Sequence, residues 1–184
     1  SIAVCGDPEA RHGIVLTASY PAKRMGVKTG MPIWEAKQHC RDLIIVPASY
    51  GKYQKYSGYV REVFNDYTDQ VESFGLDEAW LDITGSVGLF GSPVKIAKEI
   101  SVRIKRELGI TVSIGVSFNK ITAKLGSDYK KPDAITIIEP ENYKEIVYPL
   151  PARDLLYVGA ATQRKLGSYG IRTIGQLAET NPET

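Results

Sequence analysis

Net charge is nearly absent from this sequence: among 184 residues, 23 Lys and Arg face 21 Asp and Glu, a formal +2. So balanced a chain offers no global field to draw in nucleic acid, and any polyanion footprint has to be a local patch. Cysteine is scarce. Two cysteines, Cys5 and Cys40, do not make a disulfide scaffold, and their absence from any CxxC pattern favours a reducing, cytosolic setting. With His12 and His39 they match none of the usual zinc-ligand spacings, so ordinary packing is the reading of both thiols. Long apolar runs are missing as well; none exceeds four residues, and the most hydrophobic, residues 43–46, is strand-sized and far short of a membrane span. No signal or transit peptide, internal repeat or low-complexity segment is visible.

What is present is the composition of a globular chain. Hydrophobic residues at 43% and charged residues at 24% exclude disorder and fibrous repeats. The length suits one ordinary domain, or two small ones sharing a core. The chain opens at Ser1 on an apolar run, a start that reads as a cut inside a longer protein.

Residues 13–19 read as a short buried strand with a glycine start. Residues 20–25 follow as a helical turn, with Pro21 in the first turn where its missing N–H costs nothing. A second short helix is expected from residue 31, and a strand over 43–46 ended by Pro47. Over residues 49–67, Tyr53, Tyr56, Val60, Val63, Phe64 and Tyr67 recur at spacings of three and four, an amphipathic helix. Two strands over 70–76 and 79–84 are separated only by Asp77 and Glu78, and a glycine-rich connection spans 85–91. Residues 93–108 form a helix with Pro93 near its start and Gly109 where a C-terminal cap belongs. A strand over 111–118, a helix over 119–129 with Asn119 as N-cap, and a strand over 134–138 follow. From Pro140 the pattern is of short helices. The order strand, strand, helix, strand, helix, strand implies an α/β (α+β) fold, one mixed sheet backed by helices, with a helical annex at each end.

The most informative stretch is Ser73-Phe74-Gly75-Leu76-Asp77-Glu78-Ala79-Trp80-Leu81-Asp82. Adjacent carboxylates at a tight turn repel unless a cation or hydrogen-bond donors neutralise them. Mg²⁺ takes hard oxygen ligands from one or two carboxylates and the rest from phosphate and water. The bland alternative is a solvated polar turn, since Asp is common in turns. Asp82, two residues past Trp80, reads as a structural or surface acid.

The decapeptide resembles the Ser-x-Asp-Glu-Ala-Tyr-Leu-Asp signature of Y-family (translesion, UmuC-type) DNA polymerases, with Trp80 in the usual Tyr position. Thr17-Ala18-Ser19-Tyr20-Pro21-Ala22-Lys23-Arg24-Met25-Gly26-Val27-Lys28, followed by Gly30-Met31-Pro32, is similar to that family's fingers segment. Gly115-Val116-Ser117-Phe118-Asn119-Lys120, Ala123-Lys124-Leu125 and Ser127-Asp128-Tyr129-Lys130-Lys131-Pro132 are similar to its palm helix and following loop. Val158-Gly159 through Gly170-Ile171 and Gly175-Gln176-Leu177 resembles the first helix-hairpin-helix of its thumb, although Gly159 is followed by Ala160-Ala161 where a Gly-x-Gly turn is usual.

The resemblance covers essentially the whole chain and implies a small fingers subdomain over 1–50, a palm with a mixed, mostly antiparallel sheet, lacking its N-terminal strand, over 51–138, and the helical start of a thumb over 139–184. It implies template-directed DNA synthesis across damaged DNA in the full-length parent, by two-metal nucleotidyl transfer to a primer 3′-OH. Asp77 and Glu78 are the implied metal ligands, for two Mg²⁺ ions with Mn²⁺ as a substitute. Thr17, Tyr20 and Lys131 are the implied triphosphate contacts. Lys23 is the positional match for a cation that is more often Arg in the family, and Arg24 is the chemical alternative, because an ammonium lacks the bidentate fork of a guanidinium. The implied partners are primer-template DNA, deoxynucleoside triphosphates and a sliding clamp, in a bacterial-type cytoplasm at the nucleoid and away from any membrane. The family's first palm strand carries another metal-binding Asp and an aromatic steric gate. Asp7, in a Gly6-Asp7-Pro8-Glu9 turn, does not match it, so the fragment by itself is expected to be inactive. A non-catalytic DNA-binding relative and a palm-type nucleotide cyclase are the rival expectations.

Overall fold

The computed structural model describes residues 1–6 and 13–181. Asp7 and His12 lie outside the described residues, and so does most of the turn expected around Asp7. The chain divides into two compact units, Ser1–Lys55 and Tyr56–Thr184, and the boundary falls inside one long helix.

The first unit is a three-stranded sheet carrying two helices, and not the helical annex expected at this end of the chain, because the opening apolar run supplies a central strand. Strand β1 (Ile2–Cys5) runs in the centre, antiparallel to β2 (Val15–Ala18) and parallel to β3 (Ile44–Pro47). The opening apolar run is therefore the middle strand of this sheet, with alternating residues Ala3 and Cys5 turned into the core. Helix α1 (Tyr20–Arg24) has Pro21 in its first turn, as the sequence predicts, and α2 (Ile33–His39) starts behind Pro32. Ala22, Val27, Ala36, Cys40 and Leu43 complete the core with Ala3, Cys5 and Val15. Both cysteines are buried and unbridged, and burial pushes the Cys5 thiol above its ordinary pKa.

Helix α3 (Tyr50–Asn65) leads into the second unit, where Val60, Val63, Phe64 and Tyr67 pack on one face. The hairpin of β4 (Val71–Phe74) and β5 (Glu78–Leu81) comes next. The glycine-rich connection is more ordered than expected: Thr84–Ser86 makes a 3₁₀ turn and Val87–Phe90 a short helix, α4. Helix α5 (Pro93–Leu108) follows its sequence signals closely. The Ser92 hydroxyl accepts from the Lys95 N–H, Pro93 opens the first turn, and Gly109 closes the helix at φ +67°. Its stripe Ile96, Ile100 and Ile104 is buried against Val63 and Tyr67, each side chain contributing about 1.5–3 kcal/mol by leaving water.

Strands β6 (Ile114–Ser117) and β7 (Ile135–Ile138) are parallel, joined over helix α6 (Lys120–Tyr129). The single sheet expected from the sequence is thus divided. Among the described residues no backbone ladder joins the β4–β5 pair to the β6–β7 pair. Leu81 and Ile83 on one side, and Val112 and Ile114 on the other, pack against the same core as α5, so the two pairs share a helix rather than hydrogen bonds. Short helices α7 (Tyr143–Val147), α8 (Ala160–Ser168) and α9 (Ile174–Glu179) finish the chain, the last with a Thr173/Gln176 capping box. No helix among the described residues is long and apolar enough to cross a membrane.

Helix α6 lies directly on β6 because both surfaces are glycine where they meet. A Cβ on Gly115 would stand 1.8 Å from the Ala123 carbonyl oxygen, and one on Gly126 would stand 3.1 Å from the Gly115 Cα. Backbone cannot yield as a flexible side chain does. Gly115→Ala is expected to lose about 1–3 kcal/mol or more of unfolding free energy, read as a lowered urea midpoint; an unchanged midpoint would show that α6 can shift at no cost.

Candidate active site

The Asp-Glu pair sits on the β4–β5 hairpin. Register pairs Phe74 with Glu78 and Val71 with Leu81, so the turn consists of Gly75, Leu76 and Asp77. Gly75, at φ +71°, takes the left-handed conformation that such short hairpin loops require. This corrects the sequence reading, in which Asp77 and Glu78 together made the turn. Because Gly75 absorbs the reversal early, Asp77 is the one acid of the pair exposed at the tip, while Glu78 opens β5 and is half-buried.

The tip is gripped from α3. Arg61 donates from Nε to the Ser73 hydroxyl at 2.9 Å and from one Nη to the Gly75 carbonyl at 2.8 Å. Its other Nη reaches the Ser57 carbonyl at 3.3 Å, and the Ser57 hydroxyl, buried beneath it, donates to the Leu76 carbonyl. Two of the three turn carbonyls are therefore satisfied by one pair of residues four apart on a helix. Sequence reasoning missed both Ser57 and Arg61. Their signal was the i, i+4 spacing, which puts a hydroxyl and a guanidinium on one face of α3.

Glu78 faces α6. Lys124 Nζ donates to Glu78 Oε1 at 3.0 Å and to Asp128 Oδ2 at 2.7 Å, and Lys131 Nζ pairs with Asp128 Oδ1 at 2.6 Å. Charges alternate along this chain, from Glu78 through Lys124 and Asp128 to Lys131. Burial works against the Lys124 ammonium, but the hydrogen bonds to Asp128 and Glu78 outweigh it and hold its pKa above the ordinary lysine value. Partial burial would likewise raise Asp128, yet the hydrogen bonds from Lys124 and Lys131 bring its carboxyl below the usual range. Lys124 and Asp128 are further residues that single-motif reading did not single out for chemistry.

Trp80 pins the hairpin to the start of α6. Its indole N–H donates to the Lys120 carbonyl at 3.1 Å, and its ring packs on Phe74 at 5.1 Å between centroids. The Lys120 ammonium lies 5.5 Å from the Trp80 ring centroid and pairs with Glu72. Asp82 is a turn acid, as its position suggested: Oδ1 accepts from the Thr84 N–H at 2.9 Å. Hydrogen bonding to Thr84 holds its carboxyl below the usual range.

Within the first unit, Thr17 is exposed on β2 opposite Val4. Tyr20 is 52% exposed at the start of α1, and Lys23, one turn on, places Nζ 5.5 Å from its ring centroid. Arg24, the next residue, is also exposed. The structure therefore brings Lys23, and not Arg24, onto Tyr20. In the second unit Gly159 caps α8, whose Arg164 and Lys165 are exposed, and Gly170 turns the chain at φ +77° toward α9.

The donors at the hairpin suit a hard cation. Asp77 is exposed and makes no hydrogen bond or ion pair among the described residues, while Lys124 engages only Oε1 of Glu78 in its bond to that residue. Two carboxylates in sequence match an ion that completes its shell with water and phosphate. Among the described residues no group of three or more His, Cys, Asp or Glu converges.

The profile of the impB/mucB/samB family matches residues 1–128. The chain is 55% identical over 182 residues to DNA polymerase IV of Acetivibrio thermocellus, covering 99% of this chain and 46% of that protein. It is 42% identical over 177 residues to DNA polymerase IV 1 of Bacillus subtilis, covering 96% and 42%. The chain thus spans about half the length of these relatives. Among solved structures it is similar to the insertion ternary complex of Dbh DNA polymerase, with TM-score 0.89, 32% identity, and 98% of this chain and 53% of that one covered. It is also similar to DinB from Sulfolobus solfataricus, with TM-score 0.87, 31% identity and the same coverages.

Two outcomes test this geometry. Arg61→Ala removes the donors to the Gly75 carbonyl and the Ser73 hydroxyl and is expected to cost about 1–3 kcal/mol, with faster amide exchange at residues 75–78 than elsewhere in the second unit; uniform exchange would contradict the grip. Asp128 has a depressed folded pKa, so its contribution to stability is present above its unfolded value, near pH 4, and is lost as pH falls through the lower folded one. Asp128→Asn should therefore flatten the decline of the urea midpoint below about pH 4, and an unaltered slope would assign that decline to other carboxylates.

Proposed function

The chain belongs to the impB/mucB/samB family, and we propose that it carries the nucleotidyl-transfer site of a DNA polymerase that copies damaged templates. In this reading residues 1–50 serve as fingers, 51–138 as palm and 139–184 as the beginning of a thumb. One observation carries it. An exposed Asp77 adjoins a Glu78 held by a largely buried ammonium, and the other partner of that ammonium tethers Lys131. Two acids for a cation and one cation for a phosphate belong to a single connected set.

Asp77 and Glu78 would hold the Mg²⁺ ions, with Mn²⁺ as a substitute; when bound, such ions neutralise the triphosphate and activate the attacking 3′-hydroxyl. The rest falls to the chain's own side chains, and in phosphoryl transfer that work is mostly positioning and charge neutralisation. Arg61 and Ser57 keep the Asp77 tip in one conformation. Thr17 and Tyr20 donate hydroxyl hydrogen bonds to the triphosphate, with Lys23, which lies over the Tyr20 ring, as the cation beside them and Arg24 as the neighbouring alternative. Lys131 exchanges Asp128 for a phosphate oxygen. Backbone amides of the α8–α9 segment, with Arg164 and Lys165, hold DNA phosphates without reading sequence. The protein would work in the bacterial cytoplasm at the nucleoid, on primer-template DNA and deoxynucleoside triphosphates, recruited by a sliding clamp.

Asp77→Ala and Glu78→Ala in the intact protein are each expected to abolish primer extension with Mg²⁺ while leaving affinity for primed DNA largely unchanged. Extension at the wild-type rate by either variant would remove that residue from the site.

A further inference from the structure

Lys124 differs from the other lysines that pair across elements of the second unit. Its side chain is 16% exposed, against 58% for Lys120 and 55% for Lys105. A solvated ion pair contributes little and exchanges freely with water; a lysine this enclosed is kept in one place by what surrounds it. It is delivered there by α6, which the Gly115 and Gly126 contact holds against β6. An ammonium has three donors. Here one goes to Glu78 Oε1 at 3.0 Å and one to Asp128 Oδ2 at 2.7 Å. The second oxygen of Asp128 takes Lys131 at 2.6 Å.

Two consequences follow from charge alone. Lys124 fixes one oxygen of Glu78 and leaves the other to a further partner, while as a cation it competes with any metal for the same carboxylate. It also neutralises Asp128 independently of Lys131, so Lys131 can leave for a phosphate without stranding an unpaired carboxylate. We propose that Lys124 is a positioning residue that couples Glu78 to Lys131: it orients the metal-binding carboxylate at the expense of metal affinity and frees the phosphate-binding lysine to move. The inference rests on the reading of Glu78 as a metal ligand and of Lys131 as a triphosphate contact.

The test uses the intact protein with Lys124→Met, Lys124→Arg and Glu78→Gln, and two readouts. Mn²⁺ binding without nucleotide is followed by electron paramagnetic resonance. Single-nucleotide incorporation is measured at saturating metal and nucleotide. Lys124→Met is expected to bind Mn²⁺ about threefold to tenfold more tightly, through loss of the competing charge, and yet to incorporate about tenfold more slowly or worse, because Glu78 is no longer oriented. Lys124→Arg should recover most of both changes. A merely structural role would weaken binding and slow incorporation together, and that result overturns the proposal, as does unchanged Mn²⁺ affinity. Should Lys124→Met fail to unfold cooperatively, Lys124→Gln, which keeps a donor but no charge, decides by the same criteria. Glu78→Gln separates the two levels. If it keeps both Mn²⁺ binding and incorporation, the metal reading of Glu78 fails and takes the inference with it. If it loses both while Lys124→Met behaves as wild type, the role of Lys124 alone is refuted.

Discussion

Helix α6 can lie on β6 only because no side chain separates them at Gly115, where a methyl group would fall inside the Ala123 carbonyl. That approach sets the position of everything α6 carries. Lys120 at its first turn meets Trp80 and Glu72 on the hairpin, Lys124 one turn later meets Glu78, and Asp128 another turn on meets Lys131. The spacing is that of a helix face, four residues per contact. A helix displaced outward by the width of a methyl group would lengthen the bonds to Trp80, Glu72 and Glu78 at once. A packing constraint between backbones thus becomes an electrostatic constraint at the hairpin.

The hairpin is held from two sides by different chemistry. From α3, Arg61 and Ser57 satisfy turn carbonyls, which fixes backbone. From α6, Lys124 satisfies a carboxylate, which fixes a side chain. Asp77 is left exposed between them. Consecutive acids would repel each other in a free turn; here one is compensated within the fold and the other is presented to solvent. That asymmetry is what two neighbouring carboxylates need if both are to meet a cation that arrives with its own water and phosphate oxygens.

Much of the local structure was legible beforehand. Ser92, Pro93 and Gly109 mark the ends of α5, Asn119 caps α6, and the spacing of Val60, Val63 and Phe64 defines the inner face of α3, whereas Tyr53 and Tyr56, expected on that face, are exposed. Each of these signals acts within a turn or two of the chain, so it survives without knowledge of neighbours. Legibility failed where partners are distant. Residues 2–5 carry no strand punctuation of their own; they become the central strand because β2 and β3 flank them. The two central strand pairs looked like one sheet, since alternation reports a buried face and not the identity of a pairing partner. Glu78 looked like a turn residue until Gly75 took the reversal.

The order of motifs along the chain, from the Thr17–Lys28 segment through Asp77-Glu78 to Lys131, was enough to identify the family, because residue identities at fixed spacing are a one-dimensional property. The same holds for charge balance, caps and apolar periodicity. Tertiary structure decided which ammonium stands against which carboxylate. Lys124 and Glu78 are 46 residues apart, and Lys120 and Glu72 are 48. No local preference couples positions so far separated. Their pairing follows from a glycine contact that lets one helix lie against one strand, and only the packed chain contains that contact.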